Sequence, residues 1–379
     1  MTFEISPDEQ ELVDAVAEIS KDVLAPQAAV ADANERVADE TLKTLAEVGV
    51  FGLNLPEEFG GPGIGSVAMS QMVAAVAGAC ASTASIITAQ FLATDSILLG
   101  ATDAQRQAWL PRAAAGEVIG SFGLTEPGAG SNPVEMSTKA TRVEGGWHIK
   151  GTKCFITNAG FADFIIVYAK SDVEAGHKGI SAFIVDTATA GEGLSFNPPE
   201  KTMGLRGSPV YKFVIDTVVP ADALLGIEGE GFTTAMRVLD RGRIEVAAMS
   251  LGISRAALDA AVAWAGERSI NGKPLNRLQG IAFKLADMYT KYRSAWLLTM
   301  DAAEQRDAEV DFTRSSATAK LAASEAAAFI ADEALQIHGG YGFTQDFPLE
   351  RYVRDARIYR IYEGSSEIQR SIIARSLSK

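Results

Sequence analysis

FIIVY at residues 164–168 and ISAFIV at residues 180–185 are short apolar runs, rich in β-branched and aromatic residues and bounded by polar residues and glycine. Runs of this kind predict buried strands. The segment YKFVI at residues 211–215 alternates in polarity, which is typical of a strand that is buried on one face. We therefore expect a small antiparallel β domain over residues 119–227.

Helical periodicity occurs on both sides of this region. At residues 6–9, SPDE combines a capping serine, a proline at the first helical position and acidic residues in the first turn, and apolar residues then recur at helical spacing over residues 12–23. The same spacing returns over residues 281–292. We expect an N-terminal all-α domain over residues 1–118 and an α-helical domain over residues 228–379, which makes the fold a multidomain α+β arrangement.

The composition limits the classes of function. The chain has 379 residues, 47% of them hydrophobic, which is enough for the cores of two or three domains. Asp and Glu number 48 against 34 Lys and Arg, a net charge of −14, and so acidic a surface repels nucleic-acid backbones. The three histidines occur without an HExxH or paired CxxC motif. We expect neither a metal site nor nucleic-acid binding.

The cysteines and the first residues favour a cytoplasmic location. The two cysteines, Cys80 and Cys154, are far apart and too few for the disulfide framework of a secreted protein. The N-terminal residues are acidic and amphipathic, without the basic region and apolar core of a secretory signal. We therefore expect a protein of the cytoplasm.

One uncharged stretch is long enough to cross a bilayer. No charged residue occurs between Glu58 and Asp95. Ala, Gly, Ser and Thr dominate its centre, which favours a helix buried on all sides over a membrane span. We expect no stable membrane insertion, and Pro111 and Gly116 to mark the end of the helical region.

Two segments contain residues suited to binding or catalysis. FGLTEPGAGS at residues 122–131 has glycines and hydroxyls that permit close approach of an anionic or flat ligand, although a plain glycine-rich turn has the same composition. YEGSSE at residues 362–367 precedes a final helix, with Ser365 and Ser366 as candidate caps. Glu363 is either a helix-start carboxylate or, beside apolar neighbours, an acid with a raised pKa.

Together with six further segments, these motifs resemble the acyl-CoA dehydrogenase family over nearly the whole chain. The segments are LTEPGAGS (124–131), KCFITN (153–158), MGLRGS (203–208), LDRGR (239–243), KLADM (284–288), QIHGGYG (336–342), RYVRDA (351–356) and IYEGSSEIQR (361–370). The resemblance implies the family's fold: a helical N-terminal domain, a small antiparallel β domain and a C-terminal four-helix bundle.

The resemblance also implies an activity. It implies an oxidoreductase with FAD as cofactor that converts a short- to medium-chain acyl-CoA into a trans-2-enoyl-CoA. In this family a glutamate removes the Cα proton while hydride leaves Cβ for flavin N5, and here that base is Glu363. Its backbone N–H and a flavin ribityl hydroxyl hold the thioester oxygen. Some relatives carry the base at the position of Gly242, which has no side chain here and therefore leaves Glu363 as the base.

Further roles follow from the resemblance residue by residue. The FAD contacts are Phe122, Leu124, Thr125, Gly130, Ser131, Phe155, Ile156, Thr157, Arg268, Gln279, Gln336, Ile337, Gly339, Gly340, Ser365, Ser366 and Glu367, of which the group from Gln336 to Gly340 reaches the FAD of a neighbouring subunit. The substrate contacts are Ser131, Asp240, Arg243 and Gly364, although Asp240 and Arg243 are also spaced as an ion pair within one helix.

This chain departs from the family's pattern at two of the cofactor positions. Phe155 stands where the family usually has Trp, and Asn271 stands where it commonly has a Phe near the adenine. Because Asn cannot stack as an aromatic ring does, we expect FAD to dissociate more easily than in relatives.

Partners and alternatives complete the expectation. The resemblance implies an electron-transfer flavoprotein as electron acceptor and a homotetramer built as a dimer of dimers. The uncharged stretch offers no cation to a second carboxylate, which favours a plain aliphatic acyl chain unless Arg206 reaches the pocket. The alternatives are an acyl-CoA oxidase, an enoyl-CoA-reducing member of the same fold, and a non-catalytic flavoprotein that binds acyl-CoA.

Overall fold

A computed structural model describes residues 3–378. The N-terminal part consists of six α-helices, and a short π-helical segment joins the first two. They are α1 (Pro7–Ile19), α2 (Ala25–Ala33), α3 (Asp39–Glu47), α4 (Ser66–Ala79), α5 (Ala81–Gly100) and α6 (Asp103–Ala114). Ser6 caps α1 in a capping box with Glu9, so the predicted start of this helix is confirmed.

The uncharged stretch and the end of the N-terminal helical region each differ from the prediction. It forms two helices, α4 and α5, rather than one, because the backbone of Cys80 between them is extended (φ −147°, ψ 101°). The expected breaker Pro111 lies inside α6, and the chain turns only at Gly116, which has a φ of +69°. A left-handed φ costs glycine nothing, so Gly116 ends the helical region more effectively than the proline does.

The central part is a seven-stranded sheet. Its strands are β1 (Gly120–Gly123), β2 (Lys139–Val143), β3 (Gly146–Thr157), β4 (Phe164–Lys170), β5 (Ile180–Asp186), β6 (Leu194–Phe196) and β7 (Val210–Pro220), with the short helix α7 (Thr187–Ala190) after β5. The order is β1-β4-β2-β3-β7-β6, with β5 paired to β4.

The expectation of an antiparallel sheet is correct for most pairs and wrong for two. β4 runs parallel to β1 over its first four residues and parallel to β2 at the single pair Lys139–Lys170, whereas the pairs of β3 with β2 and β7, of β4 with β5 and of β6 with β7 are antiparallel. The reason is topological. The β2–β3 hairpin lies between β1 and β4 in sequence, and its second strand, β3, runs past the start of β2 and returns the chain to the side from which β1 started.

The C-terminal part is helical apart from a small hairpin. Its elements are α8 (Gly231–Glu267), β8 (Ser269–Ile270), β9 (Lys273–Pro274), α9 (Gln279–Asp307), α10 (Thr313–His338), α11 (Leu349–Ala356) and α12 (Ser366–Leu377). Helix α10 packs against α8, α9 and α12, and α8 also packs against α4 and α5. The predicted domain limits at residues 118 and 227 fall in the connections between α6 and β1 and between β7 and α8.

Two helices within residues 3–378, α5 and α8, are long and apolar enough to cross a membrane by length and composition alone. In their most apolar windows 83% and 67% of the residues are buried inside the protein, as in the core helices of a folded domain.

Candidate active site

The turn between α11 and α12 has an unusual backbone. Glu363 and Gly364 both adopt left-handed conformations, with φ of +51° and +87°. Gln369 on α12 donates to both of their carbonyl oxygens, at 3.1 and 2.8 Å, and Lys320 on α10 donates to the carbonyl of Gly364 at 2.7 Å. The Ser365 hydroxyl accepts from the N–H of Ile368, which confirms it as the cap of α12. The turn is therefore fixed by contacts from two helices.

Glu363 has the properties of a general base that works near neutral pH. Burial raises the pKa of its carboxyl, the nearby Lys320 and Arg243 lower it, and the result is about 7. Its Oε2 atom is inaccessible to solvent and has no hydrogen-bond partner among residues 3–378. A carboxylate in this state is available to accept a proton from a ligand.

The carboxylate of Glu363 faces helices α8 and α5. A Cβ atom added to Gly242 on α8 would lie 3.7 Å from Oε2 of Glu363 and 2.8 Å from Cδ2 of Leu92 on α5. A side chain at position 242 would therefore clash with Leu92 on α5 and touch the carboxylate. The position that carries the base in some relatives is adjacent to Glu363 here, and its lack of a side chain leaves space beside the carboxylate.

Asp240 and Arg243, both expected to bind substrate, form an ion pair on α8. Asp240 also accepts from the hydroxyl of Thr313 at 3.0 Å, while the buried Nε of Arg243 has no hydrogen-bond partner among residues 3–378. Burial lowers the pKa of Arg243, and it raises that of Asp240. The intrahelical pairing that the spacing allowed is thus present, and a role of these residues in substrate binding stays a prediction.

The glycine-rich segment is held at the start of the sheet. The N–H of Cys154 in β3 donates to the carbonyl of Thr125 at 3.0 Å. The buried carboxylate of Glu126 accepts from Lys153 at 2.9 Å and from the Ser137 N–H at 2.6 Å. Lys153 donates in addition to the carbonyl of Leu124 at 3.1 Å. The tip of the segment is exposed at residues 127, 128, 130 and 131 and can face a ligand there, while Ala129 is buried and bonded to the backbone of Glu126.

The residues around this tip fit FAD. A Cβ added to Gly128 or Gly130 would meet no atom within 4 Å, so the loop borders an open cradle. The register of β3 against β7 shifts between Lys153 and Ile156, and the irregularity gives Phe155 a φ of +57° and leaves its side chain 67% exposed. The Ser121 hydroxyl donates to the carbonyl of Thr157 at 2.6 Å, which joins β1 to this strand. An exposed aromatic ring beside an open glycine loop suits a flat, phosphate-bearing cofactor.

A second group of expected FAD contacts lies at one end of the helical bundle. Arg268, Gln279, Gln336, Gly339 and Gly340 are exposed there. The group is held together by Trp264 on α8, whose ring stacks on that of His338 at 5.0 Å between centroids and whose carbonyl accepts from the N–H of Arg268. Within residues 3–378, no hydrogen bond or ion pair joins this group to the glycine-rich segment or to Phe155.

Four of the expected cofactor residues are not free to offer their side chains. Leu124, Ile156 and Ile337 are buried in hydrophobic clusters, and only their backbone atoms remain for a ligand. Ser366 is buried and donates its hydroxyl to Glu325 at 2.8 Å. A role of these four residues in binding FAD stays a prediction, and it would have to use their backbone atoms. The exposed Glu367 and the half-buried Phe122 are accessible.

Lys320 and Gln369 are site residues that the sequence analysis did not identify. Lys320 is fully buried on α10 on a face otherwise made of small residues such as Ala317, Ala323 and Ala327. The sequence signal that could have identified Lys320 is a lysine on the otherwise apolar face of a helix. A buried ammonium group needs a hydrogen-bond or ionic partner, so such a lysine indicates a polar contact in the interior.

Arg206, considered as a cation for the acyl pocket, has other partners. Its guanidinium lies 3.0 Å from Glu35 and 3.9 Å from Asp32 in the N-terminal part.

Comparison with known proteins identifies the relatives of this chain. Three family models match in succession: acyl-CoA dehydrogenase N-terminal domain over residues 6–117, middle domain over residues 121–218 and C-terminal domain over residues 229–378. The mitochondrial short-chain specific acyl-CoA dehydrogenase of Bos taurus is 42% identical over 380 residues, covering 100% of this chain and 92% of that protein. The acryloyl-CoA reductase (NADH) of Anaerotignum propionicum is 40% identical, covering 100% and 96%.

Solved structures match equally well. The butyryl-CoA dehydrogenase of Megasphaera elsdenii has a TM-score of 0.97 at 36% identity, with 100% of both chains covered. A chain in a structure of the electron transferring flavoprotein of Acidaminococcus fermentans has a TM-score of 0.96 at 36% identity, covering 100% of this chain and 99% of that one.

Proposed function

Because this chain belongs to the acyl-CoA dehydrogenase family and is an FAD-dependent oxidoreductase acting on acyl-CoA thioesters, we propose that Glu363 is its catalytic base and that a short- to medium-chain acyl-CoA is its substrate. The observation that carries the proposal is the carboxylate of Glu363. Its Oε2 atom is hidden from solvent and has no hydrogen-bond partner among residues 3–378, its pKa is about 7, and it faces the side-chain-free Gly242. The product is a trans-2-enoyl-CoA.

Glu363 has two tasks in this reaction. Its Oε2 accepts the proton that leaves Cα of the substrate, and negative charge then develops on the thioester oxygen. The backbone N–H of Glu363 has no acceptor among residues 3–378, so it is free to donate to that oxygen. When bound, FAD supplies the acceptor for the hydride that leaves Cβ.

The cofactor site combines the two exposed groups described above. Thr125, Gly130, Ser131, Phe155 and Thr157 would hold the flavin end and the phosphates. Arg268 and Gln279 would contact the adenosine end. On the basis of the resemblance to the family, we propose that Gln336, Gly339 and Gly340 act on the cofactor of a neighbouring subunit.

Glu363→Gln tests the base directly. We expect this variant to keep FAD but to reduce it with butyryl-CoA roughly 10²- to 10⁴-fold more slowly, because an amide cannot take the Cα proton. Anaerobic stopped-flow measurement of flavin bleaching gives the rate. Glu40→Gln, an exposed change on α3, is the control and should match wild type. Bleaching by Glu363→Gln at the wild-type rate would remove Glu363 from this role.

The substrate class rests on charge. Among residues 3–378, the helices α4 and α5 carry a single charged side chain, Asp95, which is paired with Arg241 at 2.8 Å. Arg206 is likewise paired elsewhere. Both facts favour an uncharged acyl chain. An anaerobic titration with butyryl-, hexanoyl-, octanoyl- and glutaryl-CoA measures the preference, and faster bleaching by glutaryl-CoA than by butyryl-CoA would reject it.

A reductase is the second candidate, favoured by the 40% identity to an acryloyl-CoA reductase. The same base would then return a proton to Cα. Comparing the rate of butyryl-CoA oxidation with that of crotonyl-CoA reduction by the reduced enzyme distinguishes the two directions. Peroxide formation in air would instead indicate an oxidase.

We propose a homotetramer in the cytoplasm that passes electrons to an electron-transfer flavoprotein. The tetramer is supported by apolar side chains exposed on the bundle, namely Phe283, Tyr289, Leu297, Tyr341 and Phe343. The electron acceptor is supported by the similarity to a chain in a structure of an electron transferring flavoprotein. The location rests on the cysteine content alone.

A further inference from the structure

The backbone of the catalytic turn is strained. Glu363 is a non-glycine residue with a φ of +51°, and Gly364 follows with a φ of +87°. A left-handed conformation is unfavourable for a residue with a Cβ, and it persists only where surrounding contacts hold it. The contacts that hold this turn therefore determine where the carboxylate and the N–H of Glu363 point.

Those contacts come from two side chains that lie on different helices. Lys320 on α10 is completely buried, and its Nζ donates to the carbonyl of Gly364 at 2.7 Å across 44 positions of sequence. Gln369 on α12 is also buried and donates to the carbonyls of both Glu363 and Gly364. The N–H of Glu363 has no acceptor among residues 3–378 and is therefore left for the ligand.

Lys320 differs from Gln369 in carrying a charge. Its ammonium group and the guanidinium of Arg243 are the cations that act on the Glu363 carboxylate. Arg243 is already engaged by Asp240 on its own helix. The other titratable groups in this region are Tyr362 in the turn itself, Glu245 on α8, Glu325 on α10 and Glu367 on α12.

We propose that Lys320 is a positioning residue of the reaction, which holds Glu363 in its left-handed conformation through the Gly364 carbonyl and favours the ionised form of the carboxylate through its positive charge. The inference rests on the proposed role of Glu363 as base. Burial lowers the pKa of Lys320, to about 8, so the ammonium is mostly charged at neutral pH. An opposite charge at short range lowers the pKa of a carboxyl by about 1–3 units.

Two substitutions separate the charge from the hydrogen bonds. Lys320→Met removes both the charge and the bond to Gly364. It should shift the pH midpoint of flavin reduction by butyryl-CoA upwards by about one unit or more, with a rate roughly tenfold lower at pH 7. The rate should recover only in part at high pH, because the bond to the Gly364 carbonyl is lost at every pH. Gln369→Met removes hydrogen bonds without changing charge, so it should lower the rate by the same factor at every pH and leave the midpoint in place.

Lys320→Gln keeps the proposal testable if Lys320→Met does not fold. It keeps a donor and removes only the charge, so it should show the same shift of midpoint with a smaller loss of rate at high pH. The carboxyl band of Glu363 in infrared difference spectra of the holoenzyme, assigned with Glu363→Gln, gives the same midpoint without turnover.

The outcomes distinguish this inference from the proposed function. A wild-type midpoint in both Lys320 variants, in an enzyme that Glu363→Gln inactivates, overturns the role of Lys320 alone. Full activity of Glu363→Gln overturns the proposed base itself.

Discussion

Lys153 and Glu126 form a buried ion pair under the glycine-rich segment, with both side chains almost completely hidden from solvent. Burial by itself would raise the pKa of Glu126, but the ammonium of Lys153 and hydrogen bonds from Thr138 and Ser137 outweigh it and hold that pKa at about 2. The pair supports the loop through which we expect FAD to be bound. Lys153 is two residues from Phe155, and Glu126 is two residues from Gly128. Loss of the pair should therefore weaken the binding of FAD.

Lys153→Met should lower the free energy of unfolding by about 3–5 kcal/mol, because it leaves a buried carboxylate without its counter-charge. Urea unfolding followed by circular dichroism measures the change, and the absorbance of bound flavin measures the expected loss of FAD. The deficit should shrink as the pH falls towards 4, where protonation of Glu126 removes the uncompensated charge.

Lys150→Met on the same strand is the matched control. Lys150 is exposed and pairs with the exposed Asp216 at 2.7 Å, and an exposed pair contributes less than about 1 kcal/mol. Equal losses in the two variants would contradict a special contribution of the buried pair.

At the scale of elements, the contact between α4 and α8 depends on glycine. A Cβ added to Gly252 would lie 2.2 Å from the carbonyl oxygen of Ala74 and 2.7 Å from the amide nitrogen of Gly78. Both of these are backbone atoms, which cannot rotate away as a side chain can. The two helices therefore approach as closely as their backbones allow, and this approach places α8 beside α5 and the catalytic carboxylate.

Gly252→Ala should destabilise the protein by about 1–3 kcal/mol, because the added methyl group forces α4 and α8 apart. Gly266→Ala in the same helix is the control, since its Cβ would meet only Nδ2 of Asn276 at 3.8 Å. It should be neutral or stabilising by up to about 1 kcal/mol, as expected from helix propensity. Urea midpoints decide the prediction, and a Gly252→Ala variant as stable as Gly266→Ala would contradict it.

The hairpin of β8 and β9 gives a structural reason for Asn271. Asn271 and Gly272 form a two-residue turn with φ of +52° and +74°, the conformation that an Asn-Gly pair favours. Asn271, in place of the family's common Phe, removes an aromatic ring, but it also suits the left-handed backbone of this tight turn.

The easier dissociation of FAD stays a prediction. Asn271→Phe should retain more FAD than wild type during gel filtration, despite the strain of about 1 kcal/mol or more of a large residue at positive φ. Asn271→Asp, which also tolerates this conformation but adds no ring, should release FAD like wild type. Equal retention by the wild type and the Phe variant would refute the expectation.

At the scale of the molecule, the proposed tetramer accounts for the exposed apolar end of the bundle. Light scattering should give a native mass four times that of one chain. Phe343→Asp, at a side chain that is exposed in the single chain, should reduce both the mass and the FAD content, because it places a charge in a buried interface. Val143→Asp, at the end of β2, should keep the tetramer. A monomer that retains full FAD would contradict the shared cofactor site.

Several features of the fold and the site could be predicted from the sequence because they depend on neighbours within a few positions. The capping box of α1, the apolar strands β4 and β5, and the turn before α12 are all of this kind. The eight short motifs also led to the correct family, the cofactor FAD and the glutamate that we propose as base. Each such signal is contained in one continuous segment, so it can be recognised without knowledge of the rest of the chain.

Other features required the tertiary structure. The break at Cys80, the parallel pairing of β4 with β1 and β2, and the burial of Ser366 against Glu325 arise from packing between distant segments. The same is true of Lys320, which reaches the Gly364 carbonyl only because α10 and α12 pack together, and of Gly242, which lies opposite Glu363 only because α8 packs beside the turn. The sequence by itself determined which local structures form and which chemistry is present. The packing decided the burial and the charges around Glu363, because the pKa of a carboxyl depends on groups that are near in space and not near in sequence.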